Sequence, residues 1–144
     1  MAANINPIFS ALSALNFTSL ALGTTDASMN TGNAKLILTA AVNGSFVDRI
    51  IFTPRATPQT NEAVVGRVWV NNGLSTNTVG NNALLGEVNL VKTVPSVVAG
   101  NVVAANTQTI LSVGFPIPAT FTIWVSLSST VLAGYDVVCV AGSY

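Results

Sequence analysis

Residues Ala34 to Pro54 constrain this chain more than any other stretch. They read Ala-Lys-Leu-Ile-Leu-Thr-Ala-Ala-Val-Asn-Gly-Ser-Phe-Val-Asp-Arg-Ile-Ile-Phe-Thr-Pro, two apolar alternating runs that meet at Asn43-Gly44. Asn-Gly between such runs is the strongest short signal for a β-hairpin, because both turn positions take φ > 0 and these two residues tolerate it. Period-2 spacing puts Leu36, Leu38 and Ala40 on one face of the first strand, with Lys35, Ile37 and Thr39 on the other. In the second strand Phe46, Ile50 and Phe52 share a face with Asp48, while Val47, Ile51 and Thr53 share the other with Arg49. Asp48 and Arg49 are therefore expected on opposite faces, with partners across strands rather than each other. A strand apolar on both faces is expected at the centre of a sheet, covered from both sides.

The same alternation recurs along the chain. Strands are predicted at Phe17 to Leu22, Ala34 to Val42, Phe46 to Thr53, Ala63 to Val70, around Leu84, Val88 and Leu90, at Thr109 to Phe115, from Phe121 to Leu127, and at Tyr135 to Ala141. Pro54, Pro58, Pro116 and Pro118 mark strand ends, since proline cannot donate to a ladder. Eight short strands with frequent turn signals and no long helical pattern predict an all-β, single-domain antiparallel β-sandwich. The count fits an eight-stranded jelly roll; an immunoglobulin-like sandwich also fits, without its Cys-Trp-Cys hallmark. The sandwich is expected over residues 17–144, preceded by an N-terminal arm over residues 1–16. In that arm Ile5, Ile8, Phe9, Leu12 and Leu15 fall at helix-like spacing, compatible with a short helix over residues 8–15 or with an extended segment docked on a neighbouring subunit.

Composition narrows the function. Half of the 144 residues are apolar and only 7% are charged, against roughly 25% in an ordinary domain. Either Ser, Thr and Asn coat the surface, or other subunits cover much of it. No apolar run reaches the ~18 residues of a spanning helix, so no membrane partner is expected. The N-terminus has no basic segment of the secretory kind. Five basic residues balance five acidic ones, and without a basic stripe no nucleic-acid partner is expected.

Catalytic chemistry has few carriers. The chain has no histidine, which removes His-based triads, most zinc sites and the usual base near neutral pH. No phosphate-binding glycine pattern occurs. Asp26, Asp48, Glu62, Glu87 and Asp136 are the only carboxylates, and no spacing brings two of them together as a glycosidase pair. No enzyme activity, catalytic residue, metal, cofactor or small-molecule substrate is expected. Cys139, the only cysteine, lies in a strand pattern and reads as a small buried hydrophobe. Trp69 and Trp124 fall on the polar faces of their strands. There they would mark a subunit interface, pack under loops, or stack on a sugar. With Ile5, Ile8, Phe9 and Leu12 of the arm, they form the candidate interface set.

The order of several short motifs resembles that of small virion proteins of tailed bacteriophages. These are the Thr24 to Ser28 loop, Thr39-Ala40, Asn43 to Ile50, Val68 to Gly73, Leu84 to Val88, Gly134-Tyr135 and the Gly142 to Tyr144 terminus. The resemblance spans about residues 17–144 and rests on the ordered set rather than on one motif; the apolar arm has no counterpart in it. It implies a β-sandwich component of the virion. The favoured form is a capsid decoration or cement protein on the head surface, homo-oligomeric (a trimer favoured), with the major capsid protein as partner. The alternative is a tail-associated receptor- or carbohydrate-binding module that uses Trp69 and Trp124. A coat protein that builds a shell itself is less well matched, since residues 1–30 hold no Lys or Arg for packaging nucleic acid. On the decoration reading, deleting residues 1–16 is expected to abolish capsid binding and leave the sandwich folded.

Overall fold

The computed structural model describes residues 12–24, 29, 32–55, 59–94, 96–98, 101–103 and 108–144. Ten strands follow in order: β1 (Leu12–Leu20), β2 (Lys35–Thr39), β3 (Ser45–Pro54), β4 (Val64–Asn71), β5 (Asn82–Leu90), β6 (Ser96–Val98), β7 (Asn101–Val103), β8 (Thr109–Ile117), β9 (Thr122–Leu127) and β10 (Tyr135–Ser143). Among the described residues there is no α-helix; one 3₁₀ turn occupies Val79–Asn81.

Two four-stranded antiparallel sheets make the body, in the orders β1-β10-β3-β8 and β2-β9-β4-β5, with β6 and β7 pairing separately as a small hairpin. The pairs β1·β10, β2·β9, β3·β8 and β4·β5 are nested, as in one long hairpin that has been rolled up. That is the jelly roll. The expected fold class is therefore what forms. The main strands lie near where alternation placed them, with two corrections: the first runs Leu12–Leu20 rather than from Phe17 to Leu22, and β8 continues through Pro116 to Ile117 instead of stopping before it. Among the eight strands of the two main sheets, only β4 and β5 are chain neighbours that pair. The other ladders of these sheets join distant segments, so folding must close long loops before these contacts form.

The Asn43-Gly44 signal does not make a hairpin. β2 belongs to the second sheet and β3 to the first, so the turn carries the chain across the sandwich. The Gly44 N–H donates to the Ala41 carbonyl at 2.8 Å. Asn43-Gly44 thus occupies the third and fourth turn positions rather than the two central ones. Only Gly44 has φ > 0 (+92°), and a Cβ there would lie 2.8 Å from the Ile117 carbonyl oxygen. Glycine at the fourth position is what a type I turn favours. A local turn preference was satisfied without fixing which strands pair.

Three bulges reset the face assignments. Ile37 is the extra residue opposite β9, so Ile37 and Leu38 both point into the core while Leu36 turns outward. Leu85 is the extra residue opposite β4, which sends Leu85 inward and Leu84 outward. Asp48 is the extra residue of β3: Val47 and Arg49 face consecutive residues of β10, Ala141 and Val140. A bulge adds one residue to one strand and reverses the parity of everything after it. Val47 therefore joins Ile50 and Phe52 inside. Asp48 and Arg49 are both exposed, and they pair with each other at 3.2 Å, contrary to the expectation of opposite faces.

The core lies between the sheets, with Val47, Ile50, Phe52, Val68, Ile123, Val125, Leu127, Val137 and Cys139 fully buried. Cys139 is the expected small hydrophobe. Burial pushes its thiol up from 9.0 to about 12. The folded state therefore holds this proton after the unfolded chain has lost it. The associated stability is complete below pH 9 and declines as pH rises from about 9 to about 12. Native protein at pH 8 should leave Cys139 unmodified by a thiol reagent such as Ellman's, with labelling limited by the rate of global unfolding. Rapid stoichiometric labelling without unfolding would contradict this burial.

Candidate functional site

The described carboxylates are dispersed, each beside its own cation. Asp48 pairs with Arg49 at 3.2 Å, Asp136 with Arg55 at 3.4 Å, Glu87 with Arg67 at 2.8 Å and Glu62 with Lys92 at 2.8 Å. Asp26 lies outside the described residues. Among the described residues no group of three or more His, Cys, Asp or Glu side chains could hold a metal ion. The described residues line surface hollows, of which two stand out. One of about 290 Å³ lies by Val64, Asn89, Leu90 and Ser128; the other, about 490 Å³, runs between β1 and β2 past Asn16, Phe17, Leu36 and Thr39. Neither is lined by an ionisable side chain. The geometry offers contact surfaces rather than a reaction centre.

Trp69 and Trp124 sit opposite each other on β4 and β9, on the outer face of the second sheet. The face matches the expectation; the exposure does not. Trp69 is only 3% exposed, enclosed with Met29, Ala34 and Trp124, and its Nε1–H donates to the buried Ser126 hydroxyl at 3.1 Å. Trp124 is half-buried and donates to the Thr122 hydroxyl at 2.9 Å. Met29 reaches this cluster from the β1–β2 connection with φ of +62°, a costly backbone state for a side chain that is then buried against the indole. Trp69 is therefore packed under a loop, and its face is closed to a sugar or a partner.

The polar loop between β4 and β5 uses its own amides internally. Asn71 and Asn72 donate to the side chains of Asn82 and Asn81 at 2.7 and 3.2 Å, and their Oδ1 atoms accept from the Gly73 and Leu74 N–H groups. Asn81 and Asn82 donate to the Ser75 and Thr76 carbonyls. These side chains hold the loop's shape, as asparagine does in turns.

The outer face of the first sheet is different. Strand register places Phe17, Val138, Ile51 and Ile110 in one row across its full width. Leu15 and Val140 lie beside it in the next row. Phe17 is 81% exposed, Leu15 68% and Ile110 50%, while Val138, Ile51 and Val140 are half-buried. A solvated antiparallel face ordinarily reads polar. β3 is central, as its apolar pattern predicts, yet no described residue covers this outer side as Met29 covers Trp69 on the other sheet. Ion pairs and short polar side chains rim the row: Arg55, Asp136 and Ser19 at one end, Asp48, Arg49 and Ser112 at the other.

Of the candidate interface set, Leu12 is the first residue of β1 and 71% exposed. Ile5, Ile8 and Phe9 lie outside the described residues. Leu12 to Leu15 are strand, so the helix considered over residues 8–15 does not form over its described part. Residues 12–16, counted with the arm, extend the first strand to Leu20. Their helix-like spacing misled because Leu15 and Phe17 serve an outer face while Ala14 and Leu20 serve the core. Sequence reading missed Ile51, Ile110 and Val138. The signal was present in strands apolar on both faces, which were expected to be covered.

No protein-family model matches the chain, and no curated protein matches it. Among solved structures it is similar to a chain of the T13 IBDV viral particle, at 11% identity and a TM-score of 0.31, over 96% of this chain. The match spans 35% of that longer chain. A likeness this distant carries no weight for function.

Proposed function

We propose that this chain is a structural protein of a bacteriophage virion, acting by non-covalent contact as a decoration or cement protein on the outside of the head. The bare row Phe17–Val138–Ile51–Ile110 carries the reading. It is an apolar stripe on a protein whose described carboxylates all sit in separate ion pairs. Such exposed patches mark docking sites. The motif order resembling small phage virion proteins supports the class. The jelly roll supports it by analogy alone, since capsid proteins, lectins and cupins share the architecture. The partners are the major capsid protein and further copies of this chain; no catalysis, cofactor or nucleic acid enters. Each ~100 Å² of apolar surface covered contributes about 2.5 kcal/mol before the cost of association. Repeated over a lattice, that stiffens a shell without chemistry. The tail-module alternative rests on Trp69, Trp124 and the long polar loops, and the burial of Trp69 takes away one of those supports.

Heads lacking the protein, mixed with the purified chain and sedimented, test the reading. Wild-type chain should co-sediment. Ile110→Asp alters a half-exposed side chain at the far edge of the row, so stability should change by less than about 1 kcal/mol. Its binding to heads should fall at least about tenfold, since a buried unpaired carboxylate would face the shell. Undiminished binding by the variant would remove the row from the contact. Deleting residues 1–16 would cut into β1 and unsettle the sandwich. Removing residues 1–11 is the cleaner test of the arm, since it spares β1; it should leave the sandwich folded and weaken binding to heads.

A further inference from the structure

Among the described residues four strands border the two main sheets: β1 and β8 in the first, β2 and β5 in the second. An edge strand presents unpaired N–H and C=O groups, and proteins blunt such edges with charge, proline, short length or bulges. Three of the four are blunted. β2 has five residues, begins at Lys35 and is bulged at Ile37. β5 carries Glu87 and is bulged at Leu85. β8 contains Pro116 and, at Gly114, a φ of +68° that breaks its register. β1 has none of these devices. Its nine residues, Leu-Ser-Ala-Leu-Asn-Phe-Thr-Ser-Leu, hold no charge, glycine or proline, and its ladder to β10 runs without a register shift.

We propose that β1 pairs antiparallel with β1 of a second copy, so that the two first sheets become one continuous eight-stranded sheet about a twofold axis. The pairing is self-complementary. With Asn16, the middle residue of β1, at the axis, all nine residues overlap and Leu12 meets Leu20 of the other copy. In the same register Leu15 lies opposite Phe17 of the other copy, twice by symmetry. This aliphatic–aromatic cross-strand pair stabilises a sheet. The register also keeps outward side chains facing outward, so the two apolar rows join into one. Nine residues at ~3.4 Å each make an edge of roughly 30 Å. With the sheets ~10 Å apart and side chains added, the flank offers on the order of 500 Å² per copy, or about 1,000 Å² in total. That reaches the size a specific interface needs, and the hollow between β1 and β2 lies within it. A twofold contact is isologous and closes on itself. The free chain is thus a dimer rather than the trimer that the family resemblance suggests. This inference goes beyond the decoration reading and stands without it.

Light scattering coupled to size exclusion, on the full chain at micromolar concentration, gives the test through two variants. Leu15→Lys with Phe17→Lys places like charges opposite each other across the twofold axis. It should weaken the dimer by about 100-fold, leaving monomer. Leu15→Lys with Phe17→Glu changes the same exposed positions but pairs opposite charges, and should keep the dimer. A monomeric wild type, or an oligomer indifferent to which pair is installed, overturns the proposal. If neither variant folds, hydrogen exchange on the wild-type chain decides. Amides of residues 12–20 should gain protection as concentration rises. Protection independent of concentration would mean that this chain's own residues cover the edge, which also overturns it.

Discussion

Asn61→Ala should lower stability by about 3–5 kcal/mol. Asn61 is fully buried between β3 and β4. Its Oδ1 accepts from the Ala133 and Gly134 N–H groups at 2.9 and 3.0 Å, and its Nδ2 donates to the Gly134 carbonyl at 2.9 Å. Its own backbone pairs both ways with Thr93, at 3.1 and 3.0 Å. One side chain thereby ties the β9–β10 turn to the start of β4, while its backbone holds the segment after β5. Alanine removes the acceptor and leaves two buried N–H groups without partners, each costing about 1–3 kcal/mol. The Gly134 carbonyl keeps a second donor, the Arg55 N–H at 3.1 Å, so its loss is smaller. A domain with a total of about 5–15 kcal/mol would lose at least about a fifth of its stability, and at the low end nearly all of it. At this size the melting temperature should drop by roughly 10–20 °C. Thermal and urea unfolding followed by circular dichroism measure this. A change within about 1 kcal/mol would mean that the turn finds other partners.

Trp69→Ala should cost a similar amount, about 3–5 kcal/mol, as buried tryptophan truncations do. The indole fills the space under Met29 and Ala34 beside Trp124, and its removal also leaves the buried Ser126 hydroxyl without its donor. Trp69→Phe should cost less, since most of the volume stays and only the hydrogen bond goes. The pair of variants separates a structural from a ligand-binding indole. A sugar-stacking Trp69 would lose adsorption to host cells on truncation and keep its melting temperature. The structure predicts the reverse, together with poor quenching of Trp69 fluorescence by iodide in the native protein.

Strand positions were legible because alternation is a local property. Phe121 to Leu127 and Tyr135 to Ala141 needed only their own residues to be read. Pairing was less legible. The Asn43-Gly44 turn is real, yet the strands it joins are in different sheets: β2 pairs with β9, and β3 with β10 and β8. Bulges at Ile37, Asp48 and Leu85 were invisible for a related reason. An inserted residue is recognised only against the partner strand it fails to match. The Asp48–Arg49 pair and the inward Val47 follow from that single unseen event. Trp69 was placed on the correct face, but its cover comes from Met29, far along the chain, which no strand pattern contains. The apolar outer row was half-visible. β3 and β10 carry apolar residues on both faces, but only register shows that Phe17, Val138, Ile51 and Ile110 align.

Immunogold labelling of purified virions with an antibody to this chain tests whether the protein decorates the head. Gold spread over the head is the predicted result. It would direct further work to the row on the first sheet and its contacts with the shell. Gold confined to the tail tip, or virions that carry none, would overturn the decoration role.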